Sequence, residues 1–590
     1  MLGTIMGVEN NIVHLKLALD LSKTGSLINH HTIMEEDRYK IVGEITDIVG
    51  DIAHINLLGE IINDKFVFGV IHKPSFGAKV TLVEQDKIPV IISTDDYAEE
   101  KDLYLGKSAV YADVDVNVNI NSFFSSHFAI FGSTGSGKSS SVARIFQNLF
   151  EKSNPVPYKA SIFIFDAYGE YHSAFSKLSE KVPEISFKAY TTNTEFSDVE
   201  TIKIPLWLLS VDDIALLLGA ERHGQLPIIE KALKLVTIFG REESLVLKHK
   251  NDIIARAIME ILSSGRPPAQ IRDQIFSVLS HYNTSQLSLE TILMQPGYNR
   301  PLKHCLIIDA TGKIRDMELI TNFFETFLVD NLSLNLPDGS FKYTLNDLVD
   351  AFDFALISEG VLKSDKVYDD ANILKVRLHS LVSGNYGKYF DYPEFITREQ
   401  YVRDLLIAPN GQKAQVINFN INYVDDRFAK TLTKIYSKLL FDYSKALEKR
   451  ASLPFHIILE EAHRYVQNDN DVNLLGYNIF ERITKEGRKY GVLLGLISQR
   501  PSELSETSIS QCNNFLIFKM LHPKDITYIK DMVPNITNET VGKLRILQPG
   551  TCVAFGQSFK VPVIIHFDMP DPAPSSSNAD ITGTWFVRKQ

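Results

Sequence analysis

A glycine-rich segment that follows an apolar run constrains this chain more than any other feature. Residues 132–139 fit the pattern G-x-x-x-x-G-K-[ST], and residues 128–131 before them are apolar. The residues after the segment continue with helical periodicity, so the sequence predicts a strand, a loop and a helix in succession. Backbone N–H groups of such a loop bind phosphate, which predicts a nucleotide-binding core. The expected phosphate-binding residues are Gly132, Ser133, Thr134, Gly135, Ser136, Gly137, Lys138, Ser139 and Ser140.

Two side chains of this loop are expected to contact the phosphates and the metal ion. We expect Lys138 to reach the β- and γ-phosphates of ATP and Ser139 to place its hydroxyl on Mg²⁺. Gly132 and Gly137 would allow the backbone to approach the phosphates closely. A glycine-rich turn without function is the alternative interpretation. A lysine and a hydroxyl at the required offsets after a buried strand seldom coincide, so we favour the nucleotide site.

The length and composition are those of a multidomain globular protein. With 590 residues the chain is too long for one core, and 44% hydrophobic with 23% charged residues is ordinary for globular proteins. Glu9 and Asp20 stand where a signal peptide would be basic and then apolar, and no apolar run approaches the length of a membrane span. We therefore expect a cytoplasmic protein. A net charge of −11 argues against DNA binding over the whole outer surface but not against it in a channel.

The first 105 residues contain short runs in which apolar and polar positions alternate. Glycines separate these runs, which cover residues 12–17, 41–48, 52–57, 66–71 and 79–83. Several short strands at this spacing predict a small β-barrel, and a β-sandwich of similar size would show the same pattern. We assign residues 1–105 to this domain.

Continuous apolar runs in the remainder predict a parallel sheet of the doubly wound α/β class, because such runs are buried on both faces. The predicted core strands cover residues 160–165, 305–308, 416–419, 455–459, 492–497 and 515–518. We assign residues 106–204 to the first part of an ATPase core and residues 301–568 to its second part.

Two regions differ from this pattern. Residues 205–300 carry apolar side chains at i, i+3, i+4 spacing, as at Ile228, Ala232 and Leu235, which predicts an inserted helical bundle. Near residue 570 a linker rich in proline and serine begins, and it precedes Trp585 and Phe586. We expect these two aromatic side chains to dock onto another surface, and we treat residues 569–590 as a separate segment.

Paired carboxylates end one of the predicted core strands. Glu460 and Glu461 follow the apolar residues 455–459, where an enzyme with a phosphate loop requires acidic groups. We assign support of Mg²⁺ to Glu460 and orientation of the attacking water to Glu461. A pair of solvated carboxylates at a strand end is the alternative, and the presence of the phosphate loop makes it the less favoured one.

A charged helix and a further buried strand come next. Gln499 follows that strand, where an amide would sense the γ-phosphate through a water molecule. Arg488 and Arg482 lie on the preceding helix. In ring ATPases an arginine at this position stabilises transition-state charge in the neighbouring subunit's site, and we favour Arg488, then Arg482, for that role. A solvated helix face is the common alternative for such arginines.

The combination of these motifs resembles the HerA family of hexameric DNA translocases. It comprises the loop 132–139, the turn 166–171, the carboxylates 460–461 and the block 486–504, which is its most specific part. The N-terminal region resembles the HAS-barrel of these ATPases, and the tail with Trp585 resembles their C-terminal brace. Two positions depart from the family pattern: aspartate is frequent where Glu460 stands, and arginine is expected at Lys485.

The resemblance implies a fold, a set of cofactors and partners. The fold would be a P-loop, RecA-like core with a small HAS-barrel at residues 1–105, an inserted helical bundle and a brace at residues 569–590. The cofactors would be ATP and Mg²⁺, and the protein would form a homo-hexamer that moves double-stranded DNA through its ring. It would act with a partner enzyme, either a NurA-like nuclease in DNA end processing or a sirtuin-like NADase or another effector in anti-phage defence.

Two other functions fit the same residues. Type IV secretion ATPases share this core, so the chain could be an ATP-driven protein or secretion motor. The lack of a membrane segment and the HAS-like barrel favour the DNA translocase. In the third interpretation the ring is a scaffold that regulates an effector enzyme and uses ATP as a switch.

Overall fold

A computed structural model describes residues 1–19, 25–36, 38–93, 101–153, 155–196, 198–295, 298–330, 341–360, 365–532, 538–575 and 581–586. The chain forms two compact units. The first unit comprises Met1–Glu200, Val402–Asp469 and Asn478–Gln590, and the second unit comprises Thr201–Tyr401 and Asn470–Tyr477. Among the described helices, none is both long enough and apolar enough to span a bilayer.

The strands of the described residues are numbered in chain order. They are β1 Gly3–Glu9, β2 Ile12–Leu17, β3 His31–Glu35, β4 Lys40–Val49, β5 Ile52–Ile62, β6 Lys65–Phe68, β7 Lys79–Leu82, β8 Asp102–Ser108, β9 Asp115–Asn119, β10 His127–Phe131, β11 Ile162–Asp166, β12 Phe187–Thr191, β13 Glu200–Thr201, β14 Ile292–Gln295, β15 Tyr298–Pro301, β16 Val416–Asn420, β17 Phe455–Leu459, β18 Val492–Ser498, β19 Cys512–Phe518, β20 Thr551–Gly556 and β21 Val563–His566.

The α-helices are numbered in the same way. They are α1 Ile88–Ile92, α2 Ile120–Phe124, α3 Lys138–Glu151, α4 Tyr171–Phe175, α5 Leu178–Lys181, α6 Val211–Leu218, α7 Leu226–Phe239, α8 Glu243–Leu262, α9 Pro268–His281, α10 Leu302–Cys305, α11 Met317–Glu325, α12 Leu345–Gly360, α13 Asp365–Ser383, α14 Arg398–Leu405, α15 Asp426–Ala446, α16 Asp471–Leu475, α17 Ile479–Tyr490, α18 Glu506–Ser510, α19 Pro523–Met532, α20 Asn538–Lys543 and α21 Ile581–Trp585.

The N-terminal region is an antiparallel sheet, as its alternating pattern predicts. The strands follow the order β1-β2-β5-β4-β3-β7, and β6 pairs with β5. Alternate side chains such as Val13, Leu15 and Ile55 are fully buried in the core of this sheet. The Leu2 N–H donates a hydrogen bond of 2.7 Å to the Val80 carbonyl, which links the first strand region to the last. The sheet is therefore curled like part of a barrel; its identity as a HAS-barrel stays a prediction.

The remainder of the first unit contains a sheet of mixed direction. Its strand order is β13-β12-β16-β11-β17-β18-β10-β19-β20-β21-β8-β9. The strands from β12 to β19 are parallel, and the pairs from β19 through β20, β21 and β8 to β9 are antiparallel. Five of the six predicted core strands coincide with β11, β16, β17, β18 and β19. The α/β prediction with a parallel core is confirmed.

The prediction of a sixth core strand at residues 305–308 is wrong. Leu302–Cys305 is a short helix that begins after Pro301, and Ile308 forms an isolated bridge with Ile314. A short apolar run is compatible with a buried helix as well as with a buried strand, and proline is favoured before the first turn of a helix. Residues 302–401 lie in the second unit, whereas the sequence assignment began the second part of the ATPase core at residue 301.

The second unit is mainly helical, as the spacing of its apolar residues predicts. Ile228, Ala232 and Val236 of α7 and Ile254 and Ile258 of α8 are buried. A hairpin of β14 and β15 and the helices α12 and α13 also belong to this unit. The turn expected at residues 337–339 lies outside the described residues.

The segment 570–575, here called the strap, binds to the first unit itself. The Gln147 amide of α3 donates to the Pro572 carbonyl at 2.8 Å and accepts from the Asp571 N–H at 3.0 Å. The Ser173 hydroxyl donates to the Ala573 carbonyl at 3.0 Å, and the Ser575 N–H donates to the Glu170 carbonyl at 3.0 Å. After the strap, Trp585 and Phe586 are 75% and 78% exposed in the isolated chain.

Candidate active site

The glycine-rich loop lies where the sequence places it, between β10 and α3. The loop is held by the ends of neighbouring strands: the Gly132 N–H donates to the carbonyl of Ser498, the last residue of β18, and the Ser133 N–H donates to the carbonyl of Lys519, just after β19. The Gly550 N–H donates to the Ser136 carbonyl from the opposite side. These backbone contacts fix the loop at the carboxyl ends of the parallel strands, the usual place for a ligand in this fold class.

Three glycines of the loop have conformations or contacts that require glycine. Gly137 precedes α3 with a φ of +94°, and a Cβ built there would lie 2.6 Å from the Gly550 nitrogen. Gly135 has a φ of +73°, in the left-handed region. A Cβ at Gly132 would lie 2.6 Å from the Cβ of Phe518. The predicted need for glycine at 132 and 137 therefore has a steric basis in this chain.

Lys138 and Ser139 begin α3 and face acidic residues. The Lys138 Nζ donates to the Ser133 carbonyl at 3.1 Å, and burial lowers the pKa of Lys138 against the opposing effect of Glu461 and Glu460. Burial raises the pKa of Glu170, and the nearby Ser139 hydroxyl and Lys138 oppose that rise. Ser140 follows in the first turn of α3 and is half-buried. The amino group and the hydroxyl assigned to phosphate and metal thus lie in one site with carboxylates.

Glu460 is buried at the junction of β17 and β11. Its Oε2 accepts a hydrogen bond of 3.1 Å from the Ala167 N–H, and its carboxyl group is also hydrogen-bonded to Asp166. Burial, reinforced by the charge of Asp166, raises the pKa of Glu460 well above its usual range. A carboxyl group held in this way is bound to the neighbouring strand; its assignment to Mg²⁺ stays a prediction.

Glu461 faces Lys138 and Gln499. Its backbone is left-handed, with a φ of +48°, and its side chain is 8% exposed. The His463 Nδ1 lies 3.2 Å from its Oε2, and the nearby backbone N–H of Gln499 favours its charged form. Burial raises the pKa of Glu461, while Lys138 opposes that rise. A strained, buried carboxylate next to the phosphate loop suits a group that orients water.

Gln499 joins the loop to the carboxylate strand. Its side-chain Oε1 accepts a hydrogen bond of 2.6 Å from the Thr134 hydroxyl, and its backbone N–H lies near the Glu461 carboxylate and favours the charged form of that group. Because Thr134 belongs to the loop, Gln499 contacts both halves of the predicted site. The structure therefore brings together the loop, Lys138, Glu461 and Gln499, which are far apart in the sequence.

Arg488 and Arg482 lie away from this site in the same chain. Arg488 is close to His127 at the start of β10, whereas the loop follows the end of β10 at Phe131. Four steps of about 3.3 Å along the strand separate the two ends by about 13 Å. Arg482 lies 3.7 Å from Glu486 in an ion pair and its guanidinium is 5.7 Å from the Phe441 ring centroid.

Two residues of the site received no role in the sequence analysis. Glu170 lies near Ser139 and Lys138, which favour its charged form, and His463 lies next to Glu461 with its Nδ1 3.1 Å from the Ser498 hydroxyl. Burial lowers the pKa of His463, which favours its neutral form. Each residue stands four positions after the end of a buried strand. That position is the signal from which a site role could have been predicted.

Comparisons with known proteins find similarity to HerA helicases. Residues 103–322 match the family described as Helicase HerA, central domain. The chain is 25% identical over 489 residues to the DNA double-strand break repair helicase HerA of Saccharolobus solfataricus, a match that covers 83% of this chain and 73% of that protein. It is 22% identical over 566 residues to the helicase of the same name from Pyrococcus furiosus, covering 96% and 84%.

Solved structures with some likeness include VirB4 of Thermoanaerobacter pseudethanolicus, at a TM-score of 0.45 and 12% identity over 80% of this chain and 97% of that chain. The plasmid coupling protein TrwB in complex with ADP and Mg²⁺ has a TM-score of 0.43 and 11% identity over 83% and 92%. The match to the family model, the similarity to HerA helicases and the complete phosphate loop together support the following assignment of this chain. The protein is a P-loop ATPase that is similar to HerA helicases along most of its length.

Proposed function

We propose that this ATPase is a homo-hexameric motor that couples ATP hydrolysis to movement of double-stranded DNA through its ring. The observation that carries the proposal is the similarity to HerA helicases along 83% and 96% of the chain. A second support is the nucleotide site, in which the loop, Lys138, Glu461 and Gln499 come together. A motor needs such a site to convert hydrolysis into motion.

The loop fits the triphosphate of ATP. The Ser136 hydroxyl is buried without a hydrogen-bond partner in the chain, and its position in the loop suits a phosphate oxygen. Lys138 and the loop N–H groups would hold the phosphates, and Ser139 would bind Mg²⁺. The bound ion would neutralise charge that develops on the phosphoryl group. Glu461 would orient the attacking water, since its carboxylate faces Lys138 and keeps Oε2 without a hydrogen bond.

Gln499 is proposed as the sensor of the nucleotide. Its amide contacts Thr134 in the loop, and its backbone N–H contacts Glu461. Loss of the γ-phosphate would change the conformation of the loop, and Gln499 would transmit this change to the Glu461 carboxylate. We propose that Glu460 supports the bound Mg²⁺, because it stands next to Glu461.

Arg488 is proposed to act on the nucleotide of a neighbouring subunit. It lines a cleft of about 1350 Å³ together with Lys65, Lys101 and Lys560. None of the described residues that line this cleft is acidic, although acidic residues outnumber basic ones in the chain. The cleft is cationic, and its Arg488 lies near the start of β10, at the other end of that strand from the chain's own loop; this favours an anionic partner supplied by another molecule. Arg482 is the second candidate for this role, because its guanidinium forms an ion pair with Glu486 of the same helix.

The N-terminal sheet is proposed as the surface that binds a partner effector enzyme, a NurA-like nuclease or a sirtuin-like NADase. Strand β6 pairs with β5, and the apolar side chains of Phe68, Ile71 and Phe76 on and after it are 56%, 83% and 66% exposed. Exposed apolar groups next to an edge strand suit a protein contact. Co-expression with the product of the neighbouring gene would test this: Phe68→Asp with Ile71→Asp should abolish co-purification, and an unchanged yield of partner would place the contact elsewhere.

The motor proposal is tested by hydrolysis in the presence of DNA. Duplex DNA should stimulate ATP hydrolysis, and the stimulation should fall as salt rises, because phosphate contacts release counterions. A secretion motor or a switched scaffold predicts a rate that duplex DNA leaves unchanged.

A further inference from the structure

The segment 543–550, here called the connecting segment, runs from the N-terminal sheet to the phosphate loop within the first unit. At its start the Lys543 Nζ donates a hydrogen bond of 2.7 Å to the Glu44 Oε1 of β4. At its end the Gly550 N–H donates to the Ser136 carbonyl of the loop at 2.9 Å. The backbones also approach closely there, since a Cβ built at Gly137 would lie 2.6 Å from the Gly550 nitrogen. A displacement of this end of the segment therefore acts directly on the loop.

The connecting segment also reaches the loop through the residues that follow β19. The Met520 N–H donates to the Leu544 carbonyl at 3.0 Å, and both residues are buried. Met520 stands between the two residues that hold Ser133 of the loop. The Lys519 carbonyl accepts from the Ser133 N–H at 2.8 Å, and the Leu521 N–H donates to the Ser133 hydroxyl at 3.2 Å. The segment is thus connected to the loop at two places by hydrogen bonds of the backbone.

The ion pair at the start of the segment is largely withdrawn from water. The side chains of Lys543 and Glu44 are 17% and 14% exposed. A buried ion pair contributes little net stability, because the loss of hydration of both groups offsets their attraction, and apolar replacements are often as stable. The best supported use of such a pair is to fix register or to act in a switch. Here the pair fixes the start of the connecting segment relative to β4.

A small polar cavity lies beside this ion pair. Its volume is about 20 Å³, enough for one water molecule, and Glu44 and Lys543 belong to its lining together with Asn29 and His31. The Nε2 of His31 and the Oδ1 of Asn29 are buried with no hydrogen-bond partner in the described part of the chain. Apolar cores are close-packed and resist displacement. A junction made of an ion pair and a polar cavity lets the segment shift relative to β4 without loss of apolar packing.

We propose that Glu44 and Lys543 are positioning residues of the phosphate loop, and that their ion pair couples the N-terminal sheet to nucleotide binding. The ion pair sets the place of the connecting segment, and the segment sets the backbone of the loop at Ser133 and Ser136. The proposal rests on the assignment of ATP to this loop and is independent of DNA movement. Coupling between two sites is reciprocal, so a nucleotide in the loop also stabilises the arrangement of β4.

Nucleotide affinity gives the first test. ATPγS with MgCl₂ is titrated by calorimetry into the full chain without DNA, at a concentration where mass photometry gives the same oligomer for every variant. Lys543→Met and Glu44→Gln should each weaken ATPγS binding by at least about fivefold, the lower end of typical coupling between sites. The double variant should bind within about threefold of the weaker single variant, because two residues that act as one unit are not additive.

Two matched variants control for charge and for position. Lys543→Arg keeps the positive charge and should retain wild-type affinity for ATPγS. Lys40→Met removes an exposed ion pair of the same strand, in which the Lys40 Nζ lies 3.1 Å from the Glu35 Oε1. This variant should leave the affinity unchanged, because the Lys40 pair joins two strands of the N-terminal sheet and has no contact with the connecting segment.

Hydrogen exchange gives a readout that a purely structural ion pair would not change. In the wild-type chain, saturating ATPγS should slow amide exchange in peptides that cover residues 40–49. In Lys543→Met the loop can still be saturated at higher ATPγS concentration, and the slowing at residues 40–49 should be absent. The wild-type measurement needs no variant, so it tests the proposal even where a substitution prevents folding.

Two results would overturn the proposal. One is an unchanged ATPγS affinity in Lys543→Met and Glu44→Gln, with or without a lower midpoint of thermal unfolding, which would show that the pair only holds the fold. The other is wild-type exchange at residues 40–49 that ATPγS leaves unchanged. A wild-type chain that binds no ATPγS would instead overturn the assignment of the loop, which makes the two failures distinguishable.

Discussion

The C-terminal tail has two parts, and truncation can separate them. A chain that ends at residue 575 keeps the strap and loses Trp585 and Phe586, whereas a chain that ends at residue 569 loses both. We predict that both truncated chains fold and that both lose hexamer stability to the same extent. The reason is that the strap binds its own chain, while the two aromatic side chains are exposed in it.

The contacts and the exposure of the tail determine how much each truncation should change the folding free energy and the stability of the hexamer. A net hydrogen bond contributes about 1 kcal/mol and ordering a residue costs about 1–2 kcal/mol, so removing the strap changes the folding free energy little. Gln147 then faces the water that replaces the strap and its amide stays hydrogen-bonded. Burial of an aromatic side chain contributes about 1.5–3 kcal/mol. With Trp585 75% and Phe586 78% exposed, the pair could contribute roughly 3 kcal/mol to a contact with a neighbouring subunit, or roughly a 100-fold change in its dissociation constant.

Mass photometry across a dilution series measures the hexamer directly. Thermal unfolding of the same samples reports the fold, and full-length chain with Trp585→Ser and Phe586→Ser is the matched control without truncation. The expected result is that the chain ending at 575 and the double serine variant dissociate at similar, higher concentrations than wild type. A hexamer of the 575 chain that persists at nanomolar concentration would refute a bracing role for the tail.

The nucleotide site, the trans arginine and a buried histidine give three further predictions. Lys138→Ala should weaken ATP binding, whereas Glu461→Gln should bind ATP and lose hydrolysis by about 10²- to 10⁴-fold in steady-state rate; a wild-type rate in Glu461→Gln would show that another group orients the water. Mixing Arg488→Ala with Glu461→Gln subunits should restore part of the ATPase activity if Arg488 acts in trans, and a cis arginine gives no rescue. Burial lowers the pKa of His127 from 6.5 to about 4, so the unfolded chain takes up a proton between these values and stability is lost as pH falls. Lowering the pH from 7.5 to 5 should therefore reduce the free energy of unfolding by about 2 kcal/mol through His127, as measured from urea midpoints at the two pH values. His127→Asn should lack this part of the pH dependence, and a variant with the same pH dependence as wild type would contradict the prediction.

Features of this structure that neighbouring residues determine could be predicted from the sequence, whereas contacts between distant residues could not. The loop before Lys138 follows from the order of strand, glycines and helix, all within a few residues, and the strand before Glu461 follows from one continuous apolar run. The run at residues 305–308 failed because four apolar residues fit a buried helix as well as a strand. The hydrogen bond from Thr134 to Gln499 joins two elements that only the parallel sheet brings together, and no periodicity encodes it.

The strap shows the same limit at larger separation. Its binding depends on a backbone carbonyl and a backbone N–H that meet the Gln147 amide. Every residue type offers the carbonyl, and every residue type except proline offers the N–H. The sequence therefore indicated an extended linker rich in proline and serine at this place, but it contained no sign of the surface to which the linker binds.

Steady-state ATP hydrolysis with and without linear duplex DNA tests the proposed motor most directly. The account predicts that wild-type protein hydrolyses Mg²⁺–ATP slowly alone and severalfold faster with duplex DNA, that added salt reduces the stimulation, and that Glu461→Gln is inactive in both conditions. An ATPase that duplex DNA leaves unchanged at low salt, in a protein that is hexameric under the same conditions, would contradict the DNA motor and favour the switched scaffold.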